Sequence, residues 1–198
     1  MNTDGILWNR LKYILSPQFD IYQRVAKVIR GKVADIGFGT GFGTHLLTLR
    51  TNEVFAFEID EEAIKFARKA FPFGNLHFEY GDILKGIPPD YGKFNFVVMI
   101  DVLEHIKNDK QALKNIKECL ADGGLLLCST PNKQSRYRKS ETHVREYNPE
   151  EFKTLLGRVF SMVDLRNYRL EPLSSEYENP IIGICSKKER KVVRKNGR

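Results

Sequence analysis

The residues best suited to chemistry lie together near the start of the chain. Asp35 closes the short apolar run Val33-Ala34, and Ile36-Gly37-Phe38-Gly39-Thr40-Gly41-Phe42-Gly43 follows, with glycines at alternate positions ahead of helix-forming sequence. Glycine lacks a Cβ, so such a loop turns tightly and lets backbone N–H groups and a helix N-terminus approach a ligand. That is the build of a nucleotide-type cofactor site. A dinucleotide fingerprint needs a third glycine three residues after the second, and Phe42 or Thr44 stands there, depending on which pair starts the count. Asp35 inside the turn would also repel a pyrophosphate and attract a cation. S-adenosylmethionine (SAM) fits, because it carries a sulfonium and an ammonium and no phosphate.

Val33-Ala34-Asp35-Ile36-Gly37-Phe38-Gly39-Thr40-Gly41 resembles the first motif of the class I SAM-dependent methyltransferases, of the type 11/12 and ubiquinone-pathway O-methyltransferase kind. Phe38 stands where that family often has a small residue. The resemblance implies cofactor contacts at Asp35, Gly37, Phe38, Gly39 and Gly41, with SAM consumed and S-adenosylhomocysteine released. Glu58, with Ile59 beside it, ends the apolar run Val54–Phe57. A carboxylate there can accept hydrogen bonds from both ribose hydroxyls, each worth about 1.5–3 kcal/mol for a charged acceptor. Asp60 competes for that role but opens the next helix, where it reads as an N-cap. Gly81-Asp82-Ile83 matches the family's Gly-Asp pair, whose carboxylate takes the adenine amino group. By the same resemblance Asp101, after Phe94–Ile100, lies near the transferred methyl or the methionine portion.

Asp101-Val102-Leu103-Glu104-His105-Ile106 follows. A helical turn would place Asp101, Glu104 and His105 on one face, and two carboxylates with an imidazole can hold Mg²⁺ or a softer divalent ion. This segment, with Ser129–Asn132 and His143–Phe152, resembles two branches of the family: the ubiquinone-pathway-type O-methyltransferases and the metal-assisted small-RNA terminal 2′-O-methyltransferases. Asp101 stands where the metal-assisted branch has the longer glutamate, and many metal-free relatives share the string. The expectation is therefore no metal, with Asp101, Glu104, His105 and His143 as the candidate ligands should there be one. His143 is the expected catalytic residue, since an imidazole with a pKa near about 6.5 can take a proton from an attacking hydroxyl. Packing or exposure accounts for His45 and His77, while His105 is intermediate.

These residues require an alternating scaffold. Lys32–Ile36, Glu53–Ile59, Asn75–Tyr80, Phe94–Ile100 and Leu125–Thr130 read as strands, and Gly41–Leu49, Glu61–Phe71 and Asp109–Leu120 as the helices between them. Asn148 and Pro149 start a further helix over Pro149–Phe160, and Ser161–Leu170 and Pro180–Ser186 read as a final strand pair. The expected fold is an α/β, Rossmann-like, seven-stranded and mostly parallel sheet with the last strand antiparallel and helices on both faces. Two amphipathic helices, Ile6–Leu15 and Gln18–Ile29, precede it, and the resemblance sets residues 1–30 over the pocket. One domain over residues 1–198 is expected, ending in a basic tail over 187–198.

With 198 residues, 41% hydrophobic and 29% charged, the chain suits a single packed domain. Much of the net charge of +7 lies in the tail, and a second basic cluster spans Lys133–Lys139. RNA is thus the alternative partner to a small-molecule or glycan-like acceptor. Cys119, Cys128 and Cys185 are widely spaced in apolar settings, which argues against a disulfide framework or zinc cluster. The chain has no apolar run of membrane-spanning length, and its start lacks signal-peptide character, so a cytoplasmic location is expected. The reading is methyl transfer to oxygen, since no Asn/Asp-Pro-Pro-Tyr follows the fourth strand. An RNA 2′-O-methyltransferase and a non-catalytic SAM-binding regulator are the alternatives.

Overall fold

The computed structural model describes residues 16–136 and 140–187. The helix expected over Ile6–Leu15, the middle of the basic cluster at residues 137–139 and the tail from residue 188 lie outside the described residues.

Helix α1 (Pro17–Val28) starts with Ser16 accepting from the Phe19 amide, and Pro17 occupies its first turn, where its missing N–H costs nothing. Ile21, Tyr22, Val25 and Ala26 share its buried face. Then come β1 (Lys32–Ile36), α2 (Thr44–Leu47), β2 (Glu53–Glu58), α3 (Glu61–Ala70), β3 (Leu76–Tyr80), β4 (Phe94–Met99), α4 (Asp109–Cys119), β5 (Leu120–Thr130), α5 (Pro149–Gly157), β6 (Met162–Arg166) and β7 (Ile181–Ser186). The seven strands form one sheet in the order β3-β2-β1-β4-β5-β7-β6. Only β7 runs antiparallel to its neighbours, β5 and β6.

Strand residues point alternately to opposite faces, and the core divides accordingly. Ala34, Ile36, Val97, Met99, Leu126, Cys128 and Ile181 join α4 and α5 on one face. Val33, Val54, Ala56, Val98, Leu127 and Ile182 join α1, α2 and α3 on the other. No described helix is long and apolar enough to cross a membrane. The expected architecture is thus present, with helices on both faces.

Several boundaries differ from expectation for local reasons. α2 is one turn, because Gly41 adopts a φ of 79° that a right-handed helix cannot contain. β5 starts at Leu120, where the polar Asp122-Gly123-Gly124 conceals its first half in the sequence. A Cβ on Gly124 would meet the Phe94 carbonyl oxygen at 2.8 Å, so glycine allows the two strands to approach where their register shifts. α5 stops at Gly157, and β6 ends at Arg166, where the Asn167 side chain caps a turn by accepting from the amides of Arg169 and Glu171. The remaining ends differ by a residue or two.

Candidate active site

β1 and β4 are central neighbours whose following connections lead to opposite sides of the sheet, so a crevice opens at their carboxyl ends. Three cavities meet there. One of 390 Å³ runs past Gly37, Glu58, Ile59, Asp82, Ile83 and Asp101. Another of 280 Å³ is lined by Gln18, Tyr22, Phe38, Gly39 and Asp101. The third, of 470 Å³, lies between Gln18, Asp101, Glu104, His105, His143 and Asn179.

The glycine loop owes its shape to backbone that other residues resist. Gly37, Gly39 and Gly41 have φ of 71°, 56° and 79°. A Cβ on Gly37 would lie 2.5 Å from Val102, whereas one on Gly39 would meet nothing within 4 Å. Gly37 therefore allows close approach to the turn after β4, while Gly39 leaves open space above the loop. Glu58 braces that loop: its Oε2 accepts from the Gly39 amide at 3.0 Å, and its Oε1 accepts from Ile59 at 2.7 Å and Asp60 at 3.2 Å. A carboxylate has about four acceptor positions, so capacity remains for a ligand hydroxyl. Asp60 caps α3 through the amides of Glu62 and Ala63, as its position in the sequence suggests.

Asp82 and Ile83 line the large groove, with one Asp82 oxygen held by the Leu84 amide at 2.9 Å. Phe38 lies on the cavity wall with its ring 4.8 Å from that of Phe78. Asp35 and Gly41, both expected to touch a ligand, are buried and line none of these cavities. Asp35 is completely buried and accepts from the Tyr22 hydroxyl at 2.9 and 3.1 Å. Burial pushes its carboxyl up to about 7, against the Tyr22 hydrogen bond that favours ionisation.

Asp101 borders all three cavities. Its φ of 52° lies in the left-handed region, and Leu103–His105 forms a 3-10 turn. The helical face expected to unite Asp101, Glu104 and His105 is therefore absent. One Asp101 oxygen accepts from Ser129 Oγ at 2.5 Å and the other from Gln18 Nε2 at 2.7 Å. Burial raises its carboxyl above the usual range. Glu104 is likewise pushed up, to about 8, by burial and then by the neighbouring Asp101 charge.

On the far wall, His105 and His143 meet edge to face at 4.9 Å between ring centres. His105 Nδ1 lies 3.0 Å from the Thr142 carbonyl, and His143 Nδ1 lies 2.7 Å from Glu146 Oε1. Both partners are acceptors, so each Nδ1 carries its hydrogen toward them. Gln18, Tyr22, Ser129 and Glu146 were not anticipated as site residues. Gln18 and Tyr22 are one helical turn apart, a spacing visible in the sequence, but their aspartate partners are fixed only by the fold.

Residues 11–168 match the family model for a methyltransferase domain. A curated relative from Mycolicibacterium smegmatis, named "Probable S-adenosylmethionine-dependent methyltransferase", is 29% identical over 142 residues, covering 69% of this chain and 54% of that protein. This chain thus spans about half the length of such relatives. Among solved structures, a TehB-like SAM-dependent methyltransferase from Corynebacterium glutamicum superposes with a TM-score of 0.69 at 21% identity, covering 93% of this chain and 96% of that one. The N-methyltransferase NodS from Bradyrhizobium japonicum, in complex with S-adenosyl-L-homocysteine, superposes with a TM-score of 0.67 at 17% identity over 87% of this chain and 86% of its own. With the sheet order, the glycine loop and the family model in agreement, the chain belongs to the methyltransferase-domain family and has the class I SAM-dependent methyltransferase fold.

Proposed function

We propose that this chain transfers a methyl group from SAM to an oxygen of a small, hydroxyl-bearing acceptor. The observation that carries the reading is the junction at Asp101, where the groove along β1, β2 and β3 adjoins a separate polar cavity. The groove suits SAM in shape and charge. Gly39 leaves open space above the loop, Ile59 and Leu84 offer exposed apolar surface, and Glu58, Asp82 and Asp101 oppose a single lining lysine, Lys107. That excess of carboxylates favours a cation over a pyrophosphate.

Glu58 would hold a ribose hydroxyl with its remaining acceptor capacity, and Asp82 the adenine amino group. SAM when bound supplies a methyl group on a positively charged sulfur. The chain's own part is positioning: Gln18 and Ser129 fix the Asp101 carboxyl at the junction, while His105 and His143 border the acceptor's cavity. Holding two reactants in adjoining cavities can be worth about 7–11 kcal/mol of the barrier. No lysine or arginine lines the acceptor cavity among the described residues, which suits a neutral hydroxyl better than a phosphate at the reacting position.

The test is release of S-adenosylhomocysteine when the chain and SAM are incubated with polyols and sugars, phenols, amines or RNA. Turnover with a small hydroxyl acceptor is expected. Turnover confined to amines or RNA would overturn the acceptor assignment, and cofactor binding without turnover of any class would favour a regulator.

A further inference from the structure

We propose that the acceptor carries a protonated amine beside the hydroxyl to be methylated, as an amino alcohol or amino sugar does, and that Glu104 is the carboxylate that receives it. The inference rests on the transfer reading and names the class of its acceptor. Glu104 borders the acceptor cavity of 470 Å³, on the turn that follows Asp101 at the junction with the cofactor groove.

Glu104 is 0% exposed, and neither of its carboxylate oxygens has a hydrogen-bond partner among the described residues. Thr130 Oγ1 nearby is likewise buried without a partner. Buried carboxyls elsewhere in the chain are satisfied: Asp35 by Tyr22, Asp101 by Ser129 and Gln18, and Asp109 by Arg145 and Tyr147. A carboxylate has about four acceptor positions. Glu104 therefore presents to the cavity a set of acceptors that the fold leaves unused.

The charge around the cavity selects a cation over a neutral donor. Asp101 and Glu104 both border it, and among the described residues no lysine or arginine does. The two imidazoles turn their Nδ1 hydrogens elsewhere, His105 to the Thr142 carbonyl and His143 to Glu146. Arg145, on the segment that follows His143, is committed to Asp109 at 2.7 Å. Two carboxyls withdrawn from water without a fixed cation are costly to ionise unless a ligand brings the opposite charge. Burial and the Asp101 charge raise the Glu104 carboxyl, and a cation against it acts in the opposite sense, restoring the carboxylate.

The site is also held in shape. The Glu104 carbonyl accepts from the amides of Val144 at 2.8 Å and Arg145 at 3.1 Å, which fixes the segment carrying His143 against the 3-10 turn. Asp101 has both oxygens engaged by Ser129 and Gln18, so Glu104 is the carboxylate of the two with capacity for an ammonium group. A protonated primary amine has three N–H donors, enough to reach both Glu104 oxygens in charge-assisted bonds. An amine held in this way keeps its proton and is not a nucleophile. A hydroxyl of the same molecule is then the group open to methyl transfer.

The experiment titrates the full chain, with S-adenosylhomocysteine bound, against matched probes in which a hydroxyl replaces the amine: glucosamine and glucose, serinol and glycerol, tyramine and tyrosol. Calorimetry reads the affinities. In at least one pair the ammonium member should bind at least about tenfold tighter, the equivalent of one charge-assisted hydrogen bond. Glu104→Gln, which keeps the shape and removes the charge, should reduce that ratio to less than about threefold. Circular dichroism and S-adenosylhomocysteine affinity, read on the variant, separate loss of the charge from loss of the fold or of the cofactor site. Absence of a tenfold preference in every pair, or a preference that survives Glu104→Gln in folded protein, overturns the proposal. The transfer reading is decided separately, by mass spectrometry of the products formed with SAM. A methyl group found on nitrogen would overturn the oxygen assignment, while the binding ratios still decide the role of Glu104.

Discussion

Asp35→Asn should abolish a pH dependence of stability that the buried carboxyl imposes on the ligand-free protein. The Asp35 carboxyl is fully buried and raised from 3.8 to about 7, chiefly by desolvation. Between those values the folded chain keeps the proton that the unfolded chain has released. Stability contributed by this group is thus complete below pH 4, declines as pH rises, and is lost by about pH 7. A shift of roughly three units at 1.36 kcal/mol per unit corresponds to about 4 kcal/mol across the window. Asparagine keeps the shape and an acceptor for the Tyr22 hydroxyl but cannot ionise. Urea unfolding of parent and variant at intervals from pH 4 to 8.5 gives the difference directly, with the other carboxylates cancelling between the two curves. The parent should lose several kcal/mol relative to Asp35→Asn as pH rises, so that the variant gains its advantage above pH 7. Parallel curves, separated by a constant amount to within about 0.5 kcal/mol, would refute the burial argument.

Glu58→Ala should weaken S-adenosylhomocysteine binding by about 1.5–3 kcal/mol for each charged hydrogen bond removed, whereas Asp60→Ala should leave binding intact and cost about 1 kcal/mol of stability through the lost cap. Calorimetry and urea unfolding read the two effects, and equal small changes in affinity would displace Glu58 from its role. Gly43→Ala should destabilise by about 1–3 kcal/mol, because its Cβ would lie 2.2 Å from the Tyr22 ring. Gly39→Ala, which meets no atom, should cost only about 1–2 kcal/mol of backbone strain, and chemical denaturation compares the pair. Cationic SAM above Asp35 should favour its ionised form, so binding near pH 6.5 should release a fraction of a proton. Calorimetry in two buffers of different ionisation enthalpy measures that fraction, which should vanish in Asp35→Asn.

What was readable in the sequence depended on how local its cause is. The alternate glycines at 37, 39 and 41 and the carboxylates closing or following β2 and β3 express single-residue preferences, and the structure brings the loop, Glu58 and Asp82 to one crevice. The runs of α3, α4 and α5 lie close to their expected positions for the same reason. Asp101 escaped the helical-spacing argument because three-residue spacing cannot distinguish an α-helix from a 3-10 turn entered through a left-handed residue. Gln18 reaches Asp101 across 83 residues, and Ser129 reaches it across 28. Such partners depend on the finished sheet and leave no local trace. Glu146 lies three residues from His143, yet the sequence alone does not show that the loop buries both.

Calorimetric titration of S-adenosylhomocysteine, with NAD as the comparison, tests the central claim most directly. An adenosyl ligand without phosphate should require the open Gly39 loop and the Glu58 carboxylate. The account predicts one site for S-adenosylhomocysteine, weakened by Glu58→Ala, and no heat with NAD. Saturable NAD binding with no S-adenosylhomocysteine signal would contradict it.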